Sequence, residues 1–346
     1  MAQPRYTILI ATWNGDDLLR DCLDSIAGAV RPAPPCVVVD NAGAQSTREI
    51  CAGHPFVKYL AAPSNLGFAG GNNFGLPLCG TEFVCLLNND TIVNGDPFAT
   101  LVGFMDAHPR ASVAQGTLTL PRLGGVLDEC GSDLSWNGRQ RYRLFGKPDP
   151  GNLAPARVFS AKGAFMMIRR SAIDRAGGFL FHGHFKNYYE EKDFCHRVWI
   201  SGGEVWFVPT QPVQHLCGMT SGRLDNDIVI RQYMANILFS FSANFSSYGR
   251  LRILLPFALG CIAYAALQLL ALRWKRFAAL LAIPAINRRR RASLLETRRI
   301  VRASRALPDA KFLTLMRRLG DGAAGNSGEA ALWGHRGKPG KLGKPG

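Results

Sequence analysis

Residues 82–93, "EFVCLLNNDTIV", run as an apolar strand through Leu87 and then deliver Asn88, Asn89 and Asp90 together. In an open α/β sheet, ligands bind beyond the carboxyl ends of the strands, so a buried run that exits into a carboxylate flanked by amides points to a crevice there. The plainer reading is a turn, because Asn and Asp dominate turns. Upstream, however, the pattern repeats. "YTILIAT" (6–12) ends in Thr12, Trp13 and Asn14, and "CVVVD" (36–40) ends in Asp40 and Asn41. Both are unbroken runs with β-branched residues, as expected of strands covered on both faces,. Between them Leu18, Leu19, Cys22, Leu23 and Ile26 recur at helical spacing,. "VKYL" (57–60) is a shorter third strand, and a helix is expected over 69–78. This rhythm predicts a mostly parallel sheet with helices on both faces. Three polar strand tips at one edge can line one pocket.

A glycine-rich loop, "NLGFAGGNNFG" (65–75), lies between the third and fourth strands. It matches neither GxGxxG nor GxxxxGK[ST], so a dinucleotide or P-loop site is not indicated, although such a loop lets backbone approach a ligand closely. Further on, 158–168 reads as one long strand and 169–179 as a short helix closed by glycines. Glu190, Glu191 and Asp193 then open a helix-like stretch. The helix dipole alone favours acids at such a start, but three carboxylates in four residues exceed what capping needs, and one can serve as a general base,. His215 follows the strand "VWFV" (205–208). Taken with Asp90 it makes an oxygen-plus-imidazole pair suited to Mn²⁺ or Mg²⁺,.

Charge divides the chain. The 346 residues carry a net +16, yet residues 1–249 hold 21 basic and 21 acidic side chains, so the whole excess lies in the last quarter. A neutral body with a basic appendage implies an anionic partner, either nucleic acid or a membrane surface. Residues 253–272 contain no charged side chain and match the ~30 Å hydrocarbon thickness as a helix,. Arg250 and Arg252 precede this segment; Arg273, Lys275, Arg276 and Arg288–Arg291 follow it. A single crossing would export one basic cluster, so a membrane-lying or re-entrant arrangement on the cytoplasmic leaflet is expected, with a buried helical cap as the alternative. Nucleic-acid binding is not expected, since the basic segment lacks interleaved aromatics. The nine cysteines form no CxxC pair, which argues against a zinc ribbon or thioredoxin-like site; their odd number and the lack of a signal peptide favour a reducing cytosol,.

Read in order, T-x-N, V-V-V-D-N, N-x-G-F-A-x-G-N-N-x-G, L-L-N-x-D-T, G-A-F-M-x-I-R-R, G-G-F, Y-x-E-E-x-D-x-C-x-R and H-x-x-G-x-T form a series over about residues 5–222. It resembles the family 2 glycosyltransferases with the GT-A fold, especially the bacterial rhamnosyltransferase-like branch that builds surface polysaccharides. The resemblance implies an α/β GT-A domain, a Rossmann-like nucleotide-binding mixed sheet with helices on both faces, over residues 1–240. A helical, basic, membrane-associated region follows over 241–320, and a low-complexity, disordered tail over 321–346. It implies a divalent metal, Mn²⁺ or Mg²⁺, held by Asp90 and His215. It implies nucleotide-sugar contacts at Thr12, Asn14, Asp40, Asn65, Gly71, Asn72 and Asn88. Glu191 stands where the family carries its catalytic Asp, one methylene longer, and Asp193 is the second candidate base.

The implied activity is an inverting, metal-dependent transfer from dTDP-rhamnose or a UDP-sugar to a growing, lipid-linked glycan at the cytoplasmic face of a bacterial cell membrane. A sugar-phosphate nucleotidyltransferase is the alternative from another enzyme class, although "ATWNGDD" lacks the basic residues such a loop needs. A non-catalytic, membrane-bound GT-A-like protein is the third reading.

Overall fold

The computed structural model describes residues 4–216, 226–322 and 327–328. Four parallel strands open the chain: β1 (Tyr6–Thr12), β2 (Cys36–Asp40), β3 (Val57–Ala61) and β4 (Phe83–Leu87). They are joined by α1 (Asp16–Ala29), α2 (Gln45–Ala52) and α3 (Gly67–Gly75). The helix expected over 69–78 is α3, with a 3₁₀ turn at Leu76–Leu78 after it. Then come β5 (Thr91–Ile92), α4 (Pro97–Ala107), β6 (Ala111–Gln115), β7 (Leu118–Leu120), β8 (Val126–Leu127), β9 (Ser132–Leu134), β10 (Gln140–Arg143) and β11 (Ala156–Arg157). They are followed by β12 (Phe165–Arg169), α5 (Arg170–Arg175), α6 (Glu190–Ile200), β13 (Glu204–Phe207) and β14 (Val213–His215).

The main sheet has eight strands in the order β11-β13-β6-β12-β4-β1-β2-β3. It is mixed, because β12 enters antiparallel between β4 and β6. That corrects the mostly parallel expectation: periodicity reports burial on both faces but not strand direction. The run 158–168 is likewise not one strand. It makes a single bridge at Ser160, turns at Gly163 and Ala164, and only then becomes β12. A smaller sheet, β5-β14-β7-β8, sits beside the main one.

The apolar strand runs divide by parity between two cores. Leu9, Val37, Val39, Val84 and Leu86 pack with α6 and the later helices. Ile8, Ile10, Cys36, Val38, Phe83, Cys85 and Leu87 pack with α1, α2 and α4. Successive strand residues face opposite sides, so two buried faces require the continuous runs seen in the sequence.

After the undescribed residues 217–225, α7 (Asn226–Asn244) leads into a helical run, Ser247–Leu270. This run comprises α8 (Ser247–Gly249), a π-helical turn and α9 (Leu255–Leu270). α10 (Trp274–Leu281), α11 (Ile283–Arg289), α12 (Arg291–Ser304) and α13 (Asp309–Gly322) complete the arm. The alternative of a buried cap does not hold for Ser247–Leu270: only 17% of its most apolar window is buried, and Leu251, Leu255, Leu259, Ile262 and Leu267 are exposed. α12 and α13, in contrast, return to the body and place Val301, Phe312 and Met316 in its core. Asp309 fixes the start of the apolar run, accepting from Ser246 N at 2.7 Å and Gly249 N at 3.1 Å. The tail expected to be disordered lies outside the described residues apart from 321–322 and 327–328, and the eight described cysteines are free thiols.

Candidate active site

The parallel register sets Thr12 beside Asp40, and β4 flanks β1, so the three polar tips share the carboxyl edge. Asn89 Nδ2 donates to Thr12 Oγ1 at 3.0 Å and ties the first tip to the third. Asn14 is exposed at a left-handed φ of 50°. Asp40 is fully buried and closes its own turn: it accepts from Ala42 N and Ala44 N, both at 2.8 Å, and from Tyr59 OH at 3.0 Å. In the glycine-rich loop, exposed Asn65 accepts from Gly67 N at 2.9 Å, and Asn72 donates to Phe68 O at 2.9 Å with its own Oδ1 unpartnered. A Cβ at Gly71 would meet Ala11 Cβ and Asn41 Nδ2, both at 3.0 Å, so this helix packs tightly on β1.

At the third tip, Asp90 Oδ1 lies 3.4 Å from Nε2 of His215 on β14, and Asn88 Nδ2 lies 3.4 Å from the same nitrogen. Asp90 Oδ1 is buried without a hydrogen bond. His215 donates from Nδ1 to Asp128 Oδ2 at 2.7 Å. Burial alone would lower the imidazole pKa, but the hydrogen bond to Asp128 and the nearby Asp90 carboxylate outweigh it and hold His215 above its ordinary value,. Burial would raise Asp128, yet Lys162, 2.7 Å away, and His215 hold it well below the usual carboxylate range. Asp128 and Lys162 were not singled out from the sequence. The available signal was "VLDECG" (126–131), two acids bracketed by buried Leu127 and Cys130.

The acidic cluster resolves into three environments. Glu190 is buried, and burial followed by the nearby Glu191 pushes its pKa well up. Asp193, with 1% side-chain exposure, accepts from Arg197 Nε and Asn244 Nδ2, both at 2.9 Å, so both of its oxygens are engaged. Glu191 keeps 14% exposure and accepts from Lys192 Nζ at 2.7 Å. Glu191 is thus the most exposed carboxylate of the three. Lys162 and Gly163 join the two halves of the site: Lys162 bonds Asp128, while a Cβ on Gly163 would lie 3.8 Å from Glu191 Cβ and 3.0 Å from the Phe68 ring.

The backbone leading into α6 is strained. Lys186, Tyr188 and Tyr189 all have positive φ (55°, 73° and 76°). Such conformations cost on the order of 1–3 kcal/mol each outside glycine and persist only where the surroundings enforce them. Here the start of α3 is one clamp: Lys186 O accepts from Ala69 N at 2.8 Å and Asn187 Oδ1 from Phe68 N at 2.9 Å. Gly67, at φ 70°, permits this approach, since a Cβ there would lie 2.7 Å from Lys186 O.

A mixed sheet of this order, with a polar carboxyl edge and a second small sheet, is the fold of the GT-A glycosyltransferases. Residues 7–176 match the family model described as Glycosyl transferase family 2. It is 27% identical over 260 residues to the low-salt glycan biosynthesis hexosyltransferase Agl10 of Haloferax volcanii, covering 72% of this chain and 81% of that protein. Among solved structures it resembles GalNAc-T7 with UDP, GalNAc and Mn²⁺ (TM-score 0.56, 15% identity), over 71% of this chain but only 49% of that one. It also resembles the mannosyltransferase PcManGT of Pyrobaculum calidifontis with GDP-Man and Mn²⁺ (TM-score 0.51, 17% identity), over 94% and 88% of the two chains. At these identities the structural likenesses establish the fold alone. The family match and the curated relative are thus both to glycosyltransferases.

Proposed function

We propose that this protein is an inverting glycosyltransferase. It moves a sugar from a nucleoside-diphosphate donor, dTDP-rhamnose or a UDP-sugar, to a growing lipid-linked glycan at the cytoplasmic face of a cell membrane. The observation that carries this reading is the convergence of Asn88, Asp90 and His215 at the carboxyl edge, beside the β1 and β2 tips. The relative named as a hexosyltransferase in glycan biosynthesis supports a hexose-type sugar and a glycan acceptor.

The donor set fits a divalent cation. An orphaned buried carboxylate oxygen and an imidazole nitrogen face each other, and the imidazole is oriented by a second carboxylate, Asp128,. Among the described residues no group of three His, Cys, Asp or Glu side chains gathers into a closed site. Two protein donors suit a Mn²⁺ or Mg²⁺ that fills its remaining positions with phosphate oxygens and water. When bound, such an ion would neutralise charge developing on the leaving diphosphate. Thr12, Asn14, Asp40, Asn65, Gly71 and Asn72 border the same edge and are the proposed nucleotide and sugar contacts. Glu191 is the proposed base, taking the proton from the acceptor hydroxyl as it attacks the anomeric carbon. Asp193 orients Arg197 and α7 in this reading.

The exposed apolar run supports membrane association. Its first turn is held by Asp309, and beyond its far end Arg276 bonds Asp227 of α7 at 2.6 Å. A helix tied to the body near both ends suits lying in the interface better than crossing it.

The proposal is tested by a calorimetric or thermal-shift screen of nucleotide-sugars against the full chain, with Mn²⁺ and with EDTA. It expects one or a few donors to bind in a cation-dependent way and to be turned over with an acceptor glycolipid. A chain indifferent to every donor would overturn it.

A further inference from the structure

The four consecutive arginines at 288–291 look in the sequence like one basic cluster for a membrane, but they do not behave alike. Arg288, Arg289 and Arg291 are exposed, whereas Arg290 is turned inward at the junction of α11 and α12. Its Nη1 donates to Asn236 Oδ1 at 2.9 Å and its Nη2 to His184 O at 3.0 Å. Asn236, fully buried on α7, points its amide nitrogen at the strained segment before α6: Tyr188 O is 2.8 Å away and Asn187 O 3.2 Å. Gln232, one turn earlier, donates to Asn187 O at 3.2 Å and to Phe185 O. Five residues, 184–188, thus present four carbonyls to the arm: those of His184, Phe185, Asn187 and Tyr188. The fifth, Lys186 O, is taken by α3. The left-handed Tyr188 and Tyr189 lead straight into Glu190 and Glu191.

We infer that Arg290 and Asn236 are positioning residues. From the C-terminal arm they hold the left-handed backbone that presents the Glu191 carboxylate. This rests on the proposed role of Glu191 and extends it: the arm is part of the catalytic architecture as well as the carrier of the apolar helix. A left-handed run of non-glycine residues relaxes unless its carbonyls are bound, and binding them from one side fixes the direction in which the following helix starts. Arg290 suits this task because its planar fork serves two acceptors at once, Asn236 Oδ1 and His184 O, which a lysine cannot do with the same geometry.

The test compares Arg290→Ala, Arg290→Lys and the exposed control Glu296→Ala on α12 in the full chain, by steady-state transfer kinetics and by hydrogen exchange. Arg290→Ala is expected to lower kcat by about 10- to 100-fold with donor KM nearly unchanged, as for a misplaced catalytic group. It should speed exchange at the amides of residues 186–190 while those of β1, β2 and β4 stay protected. Arg290→Lys should recover part of both losses, and Glu296→Ala should match the wild type. Wild-type kcat in Arg290→Ala, or faster exchange without a fall in kcat, would overturn the inference. So would a uniform loss of protection over the whole domain, which would mark a merely structural role. If the wild-type chain turns over no nucleotide-sugar, the glycosyltransferase proposal fails. The exchange comparison then still decides: unchanged rates at 186–190 overturn the restraint, and locally faster rates uphold it.

Discussion

Nδ1 of His215 lies 2.7 Å from Oδ2 of Asp128, a contact between two buried side chains 87 positions apart in sequence. A carboxylate on one ring nitrogen fixes the imidazole orientation and leaves Nε2 facing Asp90, 3.4 Å away,. Under the proposed reading Asp128 is therefore a positioning residue for the cation site. Asp128→Asn should weaken Mn²⁺ binding about 10- to 100-fold, measured by electron paramagnetic resonance titration, with the circular dichroism spectrum unchanged. Unaltered Mn²⁺ affinity would remove His215 from the site.

Glu191 carries the proton transfer in this reading. Glu191→Gln should lower turnover by roughly 10²- to 10⁴-fold and leave donor affinity nearly unchanged, because donor contacts lie on other groups. Asp193→Asn, by contrast, breaks a buried pair with Arg197 and should reduce thermal stability,. A normally active Glu191→Gln protein would move the base elsewhere.

The interface between α6 and the C-terminal helices contains histidines that burial keeps neutral. Burial pushes His196 down to about 4 and His182 down to about 3, and Asp309 and Asp193 only partly offset this. His196 is stacked on Phe312 of α13 with ring centroids 4.8 Å apart. Below pH ~6.5 the unfolded chain takes up protons that these folded histidines refuse, so stability falls as pH drops from about 6.5 toward 4. Each such histidine should contribute a loss of roughly 2 kcal/mol by pH 5. Thermal melts at pH 7.5 and 5.0 should show the drop, and His196→Leu should shrink it. A melting temperature that is flat over this range would mean that the histidines are not held neutral.

The exposed Leu259 and Ile262 should insert into lipid. The full chain should co-sediment with anionic vesicles and less with neutral ones, each basic residue near the surface adding about 1 kcal/mol. Leu259→Asp with Ile262→Asp should release it. Wild-type protein that ignores anionic vesicles would leave this face to another partner.

Much of this site was legible because strand tips are local: the polar ends of β1, β2 and β4 follow directly from where apolar runs stop. The likeness to the glycosyltransferases was legible in the ordered motif series. Strand direction was not, since the apolar run of β12 packs equally well either way and only its insertion between β4 and β6 sets it antiparallel. The break at Lys162 was hidden because its partner, Asp128, comes from 34 residues away. Asp193 was readable in hindsight: Arg197 stands one helical turn later, the spacing at which an acid pairs with a base,. No periodicity announces a side chain such as Arg290, whose acceptors lie on α7 and on the loop before α6.

The most direct measurement is calorimetric titration of UDP and dTDP into the wild-type chain and into Asp90→Ala, each with Mn²⁺ and with EDTA. If Asp90 holds a cation against the donor diphosphate, the wild type binds one of the two at least ~10-fold more tightly with Mn²⁺, a difference of about 1.4 kcal/mol that Asp90→Ala abolishes. Equal affinity in all four conditions, or an Asp90→Ala protein that keeps the full Mn²⁺ effect, would contradict the assignment of the carboxyl edge as a cation-dependent donor site.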